Sequence, residues 1–156
     1  MKLTTRHFGE IEIDKKKILT FADGIPGFEH LTQFAIIHNP DKELHFHWLQ
    51  SMEDGDIAFI IVNPFIFKPD YDFQIPKRAI EKLAIEKPED IFICTIVVVP
   101  EDISKMTANL QAPIVINIKN NKGKQIIIDN DNYSRKHPIF QELKNTPKKE
   151  NVGGPK

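Results

Sequence analysis

The chain has 156 residues, a formal net charge of −1 and one cysteine, a length that suits one domain burying roughly 68–70% of the surface its unfolded chain exposes. The lone Cys94 excludes a disulfide framework or a multi-cysteine metal site within the chain. The charge is uneven, because Lys144, Lys148, Lys149 and Lys156 against Glu150 make residues 144–156 +3 and leave the first 143 residues at −4.

From the N-terminus, Met1-Lys-Leu-Thr-Thr-Arg-His7 carries early positive charge with no apolar stretch behind it, unlike a signal peptide. No apolar run approaches membrane-spanning length, so a cytoplasmic protein is expected. Alternating or β-branched apolar residues predict strands near 2–6, 9–13, 34–38, 45–50, 57–62, 91–99, 113–118 and 124–128. Gly24-Ile-Pro-Gly27 lacks a dinucleotide-binding spacing and matches a type II turn, with Pro26 fixing φ and Gly27 supplying positive φ. His45 and His47 stand two apart, so on a strand their rings share one face. With no third ligand nearby, a half-exposed strand face with Phe46 and Trp48 opposite accounts for them better than a metal site.

The stretch Asn63-Pro-Phe-Ile-Phe-Lys-Pro-Asp-Tyr-Asp-Phe73 puts aromatic residues at odd positions and Asp70 and Asp72 at even ones. Pro64 and Pro69 cannot donate to a ladder, so an extended edge or connection is expected, aromatic side inward and acidic side outward. That acidic side or the edge backbone could receive a partner by charge complementarity or strand addition. Pro76 to Lys87 has a helical period with Ala79, Ile80, Leu83 and Ala84 on one face, and Pro88 forbids continuation. Ile91 to Val99 reads as a central strand buried on both faces, with Cys94 a small buried apolar residue within it. Pro113–Ile118 and Lys124–Ile128 read as a hairpin across Lys119-Asn-Asn-Lys-Gly123. From Lys144 onward the Lys, Pro, Gly and Asn content predicts a disordered basic tail.

Chemistry-bearing motifs fail on inspection. Ile118 and Gln125 stand where a P-loop around Gly123-Lys124 needs Gly and Ser or Thr. Asp129-Asn-Asp-Asn132 opens like a calcium loop, but Tyr133 and Ser134 follow and the closing Glu is missing. Ser51, Ser104 and Ser134 lack a nucleophile elbow. The reading is therefore a binding protein, not an enzyme, with no catalytic, cofactor-binding or metal-ligating residues assigned. A nucleic-acid binder concentrates Lys and Arg on one face, and no such stretch interrupts the body.

The ordered trail Phe21-Ala-Asp-Gly-Ile-Pro-Gly-Phe-Glu29, Trp48-Leu-Gln-Ser51, Ala58-Phe-Ile-Ile-Val-Asn-Pro64, Pro69-Asp-Tyr71, Thr107-Ala-Asn-Leu-Gln-Ala-Pro-Ile-Val-Ile-Asn117 and Gly123-Lys-Gln125 resembles the FliW family of flagellar assembly factors. The resemblance runs over roughly residues 1–143. It departs at Asn63, where the family commonly has Asp, at Gly55, where Pro is frequent, and near Asn121 and Lys122, where Arg is frequent.

The resemblance implies a mostly β, small antiparallel β-barrel-like single domain with one short amphipathic helix over residues 1–143, and residues 144–156 as the tail. It also implies a cytoplasmic partner switch, a monomer when free, that binds flagellin until secretion removes that subunit. The freed protein then binds CsrA, a small RNA-binding dimer, and relieves its repression of flagellin mRNA translation. Motif position and expected exposure nominate Phe28, Glu29, Gln50, Ser51, Asp70, Tyr71, Asn109 and Gln111 as partner contacts. Two other classes share the short-strand pattern. A split-barrel flavin enzyme would need a phosphate site that the scattered Arg6, Arg78 and Arg135 do not supply. A small barrel binding RNA directly would need a basic groove.

Overall fold

The computed structural model describes residues 1–41 and 45–144. Its elements are β1 (Lys2–Thr5), β2 (Gly9–Glu12), β3 (Leu19–Thr20), β4 (Gln33–Ile37), β5 (Phe46–Ser51), β6 (Ala58–Val62), α1 (Lys77–Lys82), β7 (Ile91–Val98), β8 (Thr107–Ala108), β9 (Ile114–Asn117), β10 (Lys122–Gln125), β11 (His137–Pro138) and α2 (Phe140–Lys144). The strands β1 and β2 form a separate hairpin. The others make one sheet in the order β11-β8-β7-β6-β5-β4-β3-β10-β9, and β9 pairs back onto β7. Seven strands therefore close a barrel, which removes the open edges that a flat sheet would leave. Every pairing is antiparallel except β10 with β3, where Lys122 meets Thr20.

Strand alternation sorts the core into layers. Leu49, Ile61, Cys94, Ile114 and Ile116, from four barrel strands, share a cluster with Phe21 and Phe34 and fill the interior. Residues of opposite parity, Val62 and Val97, join Phe67, Tyr71, Leu110, Tyr133 and Ile139 in a second cluster outside the wall. A third lies under α1, where Ala79 and Leu83 meet Val115 and Ile126. A Cβ on Gly123 would stand 2.6 Å from the Phe21 ring, so the glycine admits that ring against the β10 backbone.

β7 is buried on both faces over its middle, where Cys94 lies in the interior cluster, Val97 in the outer one and Thr95 is fully buried between them, and β9 is buried on both faces throughout. Ile114 and Ile116 face the barrel interior while Val115 is covered by α1, and all four β9 residues are buried. β7 is central, pairing with β6, β8 and β9, but it ends at Val98, which is exposed, as is Val99. The predicted hairpin shifts as well. Its strands are Ile114–Asn117 and Lys122–Gln125, with Asn121 taking the positive φ of 61°; beyond the ladder, Ile126 and Ile128 donate to Pro113 and Gln111 carbonyls.

The helix stops at Lys82, short of the predicted Lys87, and Ala84 turns to φ 54°. Its last carbonyls are satisfied from another element: Asn117 Nδ2 donates to Leu83 and Ala84 oxygens at 2.9 and 3.2 Å, and Asn120 Nδ2 to Leu83 at 3.0 Å. Ala79 and Leu83 are buried as expected, whereas Ile80 and Ala84 are exposed. The two-residue strands β3, β8 and β11 and the helix α2 are additional to the predicted elements. The disordered-tail expectation, apart from Lys144 at the end of α2, lies outside the described residues.

Residues 63–73 are a connection, between β6 and α1, and not an extended edge. Asn63 Oδ1 accepts from Phe65 N–H at 2.9 Å and caps a 3₁₀ turn, Pro64–Ile66, a role an Asp would fill equally. Lys68 then donates to Pro64 and Tyr71 to Lys68. With the backbone folded on itself, no ladder is offered for strand addition, and Phe65 is exposed while Phe67 and Tyr71 are buried. Asp70 and Asp72 do face outward.

Candidate functional site

The eight nominated contacts occupy three places. The first is the Gly24–Glu29 turn. Gly24 N–H closes on Phe21 O at 2.8 Å with φ 66°, and Phe28 N–H closes on Ile25 O at 2.6 Å around Pro26 and Gly27, whose φ is 89°. That is the predicted type II turn. The Glu29 carboxylate accepts from Gly27 N–H at 3.1 Å, and its own and Gly27's backbone N–H groups hold it below the usual carboxylate range. Glu29 is exposed; Phe28 is half-buried, its ring edge-on to Phe59 at 5.1 Å.

The second place is the end of β5, where Gln50 and Ser51 are both 0% exposed. Gln50 Nε2 donates to Ser51 O at 2.9 Å and to Ile57 O at 3.1 Å. Ser51 Oγ accepts from Glu53 and Asp54 N–H groups at 3.1 and 3.0 Å. These side chains fold the β5–β6 turn from beneath, and the expectation that they are exposed to a partner is corrected. Among the described residues Gln50 Oε1 has no hydrogen-bond partner. On the same strand His47 Nδ1 accepts from Asn39 N–H at 3.0 Å and its ring meets His38 at 5.0 Å. Burial, then the neighbouring His38 and His45, push the His47 pKa down. Among the described residues no three His, Cys, Asp or Glu side chains gather to hold a metal ion.

The third place joins two motifs far apart in the chain. Asn109–Pro113 is a bulge between β8 and β9, which lie along the same side of β7. Tyr71 Oη donates to Leu110 O at 2.6 Å, and burial raises its pKa well above the ordinary phenol range. Its ring meets Tyr133 at 4.8 Å, nearly perpendicular. Gln111 Nε2 donates to Tyr133 O at 2.7 Å, Gln125 Nε2 to Ala112 O at 2.9 Å, and Asn109 Oδ1 accepts from Gln111 N–H at 3.1 Å. The Leu110 and Ala112 carbonyls of the bulge are thus satisfied by side chains, and those of Gln111 and Pro113 by the Ile128 and Ile126 N–H groups. Tyr71 is buried, so its expected exposure is corrected as well; Asn109 and Gln111 are half-buried, and Asp70 stays exposed 3.4 Å from Lys68.

Two surface features escaped the sequence reading. Asp23 receives Lys82 Nζ at 2.6 Å and Lys124 Nζ at 2.7 Å, and these hydrogen bonds, Lys124's the larger, hold its carboxyl at about 2. The three residues are brought together only by the fold. The β7–β8 hairpin tip exposes Val98, Val99 and Ile103; in sequence the two valines belong to an apolar run, and only the following Pro100-Glu-Asp102 hints that the run has left the core. No described helix is long and apolar enough to cross a membrane.

Comparison with known proteins adds the family. The sequence model of the FliW protein family matches residues 2–139. The flagellar assembly factor FliW of Alkaliphilus metalliredigens (strain QYMF) is 56% identical over 155 residues, spanning 99% of this chain and 96% of that protein. The FliW of Thermoanaerobacter pseudethanolicus is 50% identical over 145 residues, 93% of this chain and 97% of that one. A crystal structure of the flagellar assembly factor FliW superposes with a TM-score of 0.83 at 38% identity, covering 90% of this chain and 97% of the other. On sequence and architecture together, the chain belongs to the FliW family.

Proposed function

We propose that this chain is a cytoplasmic flagellar assembly factor that works without chemistry, as a switch between two protein partners. It binds flagellin while that subunit accumulates. When secretion draws flagellin away, it binds CsrA and relieves repression of flagellin mRNA translation. The observation that carries this reading is the 56% identity, over nearly the whole length of both chains, with a protein named for flagellar assembly.

Physical chemistry supports it in two ways. The first 143 residues carry a net charge of −4, which attracts a basic RNA-binding protein while repelling phosphate, an effect that salt weakens. A tenfold preference between partners needs only about 1.4 kcal/mol, within reach of an interface of about 800 Å² per partner. The test is calorimetric titration of the purified chain with CsrA and with flagellin from the same organism, separately. Saturable binding to each is expected; binding to neither refutes the switch.

A further inference from the structure

We infer that the tip of the β7–β8 hairpin is a docking knob for a partner protein that presents an apolar cleft rimmed by Lys or Arg; this rests on the partner-switch reading above. The register between β6 and β7 ends at Ile60↔Val97, so Val98 continues paired with Thr107 of β8 and has left its register with β6. By parity Val98 points the same way as Cys94 and Ile96, which pack in the barrel interior, yet it lies past the last β6 pair and is 63% exposed. Val99 and Ile103 are 39% and 55% exposed. Three of the eight large exposed hydrophobics among the described residues therefore fall within six consecutive positions, where turn chemistry ordinarily places polar residues.

The tip is also held in shape. Asp102 Oδ1 accepts from Ser104 N–H at 3.1 Å and Ser104 Oγ at 2.6 Å, Met106 N–H donates to Ile103 O at 3.1 Å, and the Met106 side chain is anchored in the second core cluster. A preorganised apolar tip loses little entropy on docking.

Charge and shape select the occupant. Glu101 makes no ion pair among the described residues, and with Asp102 it sets two carboxylates on the tip against Lys105 at its base. Nucleic acid is repelled there. A second copy would bring like carboxylates together, and a convex knob of three aliphatic side chains cannot bury against itself the roughly 800 Å² per partner of a stable interface. A concave apolar site with a basic rim satisfies both features.

The experiment compares the full chain with a Val98→Thr/Ile103→Gln double variant and, separately, Glu101→Lys. Asp102 is left intact because it shapes the tip. CsrA and flagellin from the same organism are the probes, with affinity from calorimetry, association rates at low and high salt, and melting temperature as the fold control. The double variant is expected to melt like the wild type and to bind one of the two partners about tenfold or more weakly, the loss typical of a truncated anchor. Glu101→Lys is expected to slow association with that partner at low salt. Wild-type affinity of the double variant for both partners overturns the inference while leaving the switch standing; wild-type protein that binds neither partner sinks the switch itself. A wild-type dimer abolished in the double variant, or tighter binding after removal of residues 145–156, would give the tip a different occupant and also overturn the inference.

Discussion

Replacing Tyr71 by Phe deletes one oxygen and keeps the ring, which makes it a clean probe of whether this motif residue supports the fold or touches a partner. The hydroxyl is buried and donates to Leu110 O at 2.6 Å, inside the bulge that separates β8 from β9. Its loss leaves a buried carbonyl without that donor, a penalty of about 1–3 kcal/mol. No ring-sized cavity forms, so the larger cost of truncation to Ala, about 3–5 kcal/mol for a buried aromatic, is avoided. At about 2–4 °C per kcal/mol for a chain of this size, the melting temperature should fall by roughly 2–12 °C, read by circular dichroism. Partner affinity of the folded fraction should be unchanged. A Tyr71→Phe protein that melts like the wild type but binds a partner more weakly would refute the assignment of Tyr71 as support.

Gly24→Ala forces an L side chain onto a φ of 66° and sets a Cβ 2.6 Å from Glu29 Cα. The positive φ alone costs about 1–2 kcal/mol, so urea unfolding should move to lower denaturant; an unmoved midpoint contradicts the turn geometry. Asp23→Asn tests the lysine pair. Its carboxyl is lowered from 3.8 to about 2 in the folded chain, so its contribution is present above pH 3.8 and lost as pH falls through about 2. Because the group is partly exposed, that contribution is at most about 1 kcal/mol. The wild type should lose its advantage over the variant across that acid window in pH-dependent unfolding, and an advantage that persists below it counts against the pair. Cys94 is buried and its thiol is pushed up to about 12 by desolvation, so labelling by a thiol reagent should occur only as fast as the protein opens; rapid labelling of native protein would contradict its placement in the barrel.

Local chemistry was legible from residues: the type II turn at Pro26-Gly27, the strands with clear alternation, and the helix start after Pro76. What was not legible depends on who lies next to whom. Val115 and Val97 look alike in sequence, yet Val115 is covered by α1 and Val97 by the second cluster around Tyr71 and Tyr133. Tyr71 and Leu110 are 39 residues apart, so two motifs that read as separate contact points are one hydrogen-bonded support. Gln50 and Ser51 look like polar strand-end residues, yet they are buried because the turn beyond them needs donors and acceptors from below. Val98 looks like core because it ends an apolar run, and it is exposed because the β6 register stops one residue earlier. The family motifs thus mark the scaffold more than the partner surface, and the nominated residues that stay exposed are Glu29 and Asp70.

The most direct measurement is displacement: flagellin titrated into a preformed complex of this chain with CsrA, followed by light scattering or size-exclusion mass. CsrA is expected to leave as flagellin binds, in proportion to the flagellin added. A stable assembly containing all three proteins, or a CsrA complex indifferent to flagellin, would contradict the switch.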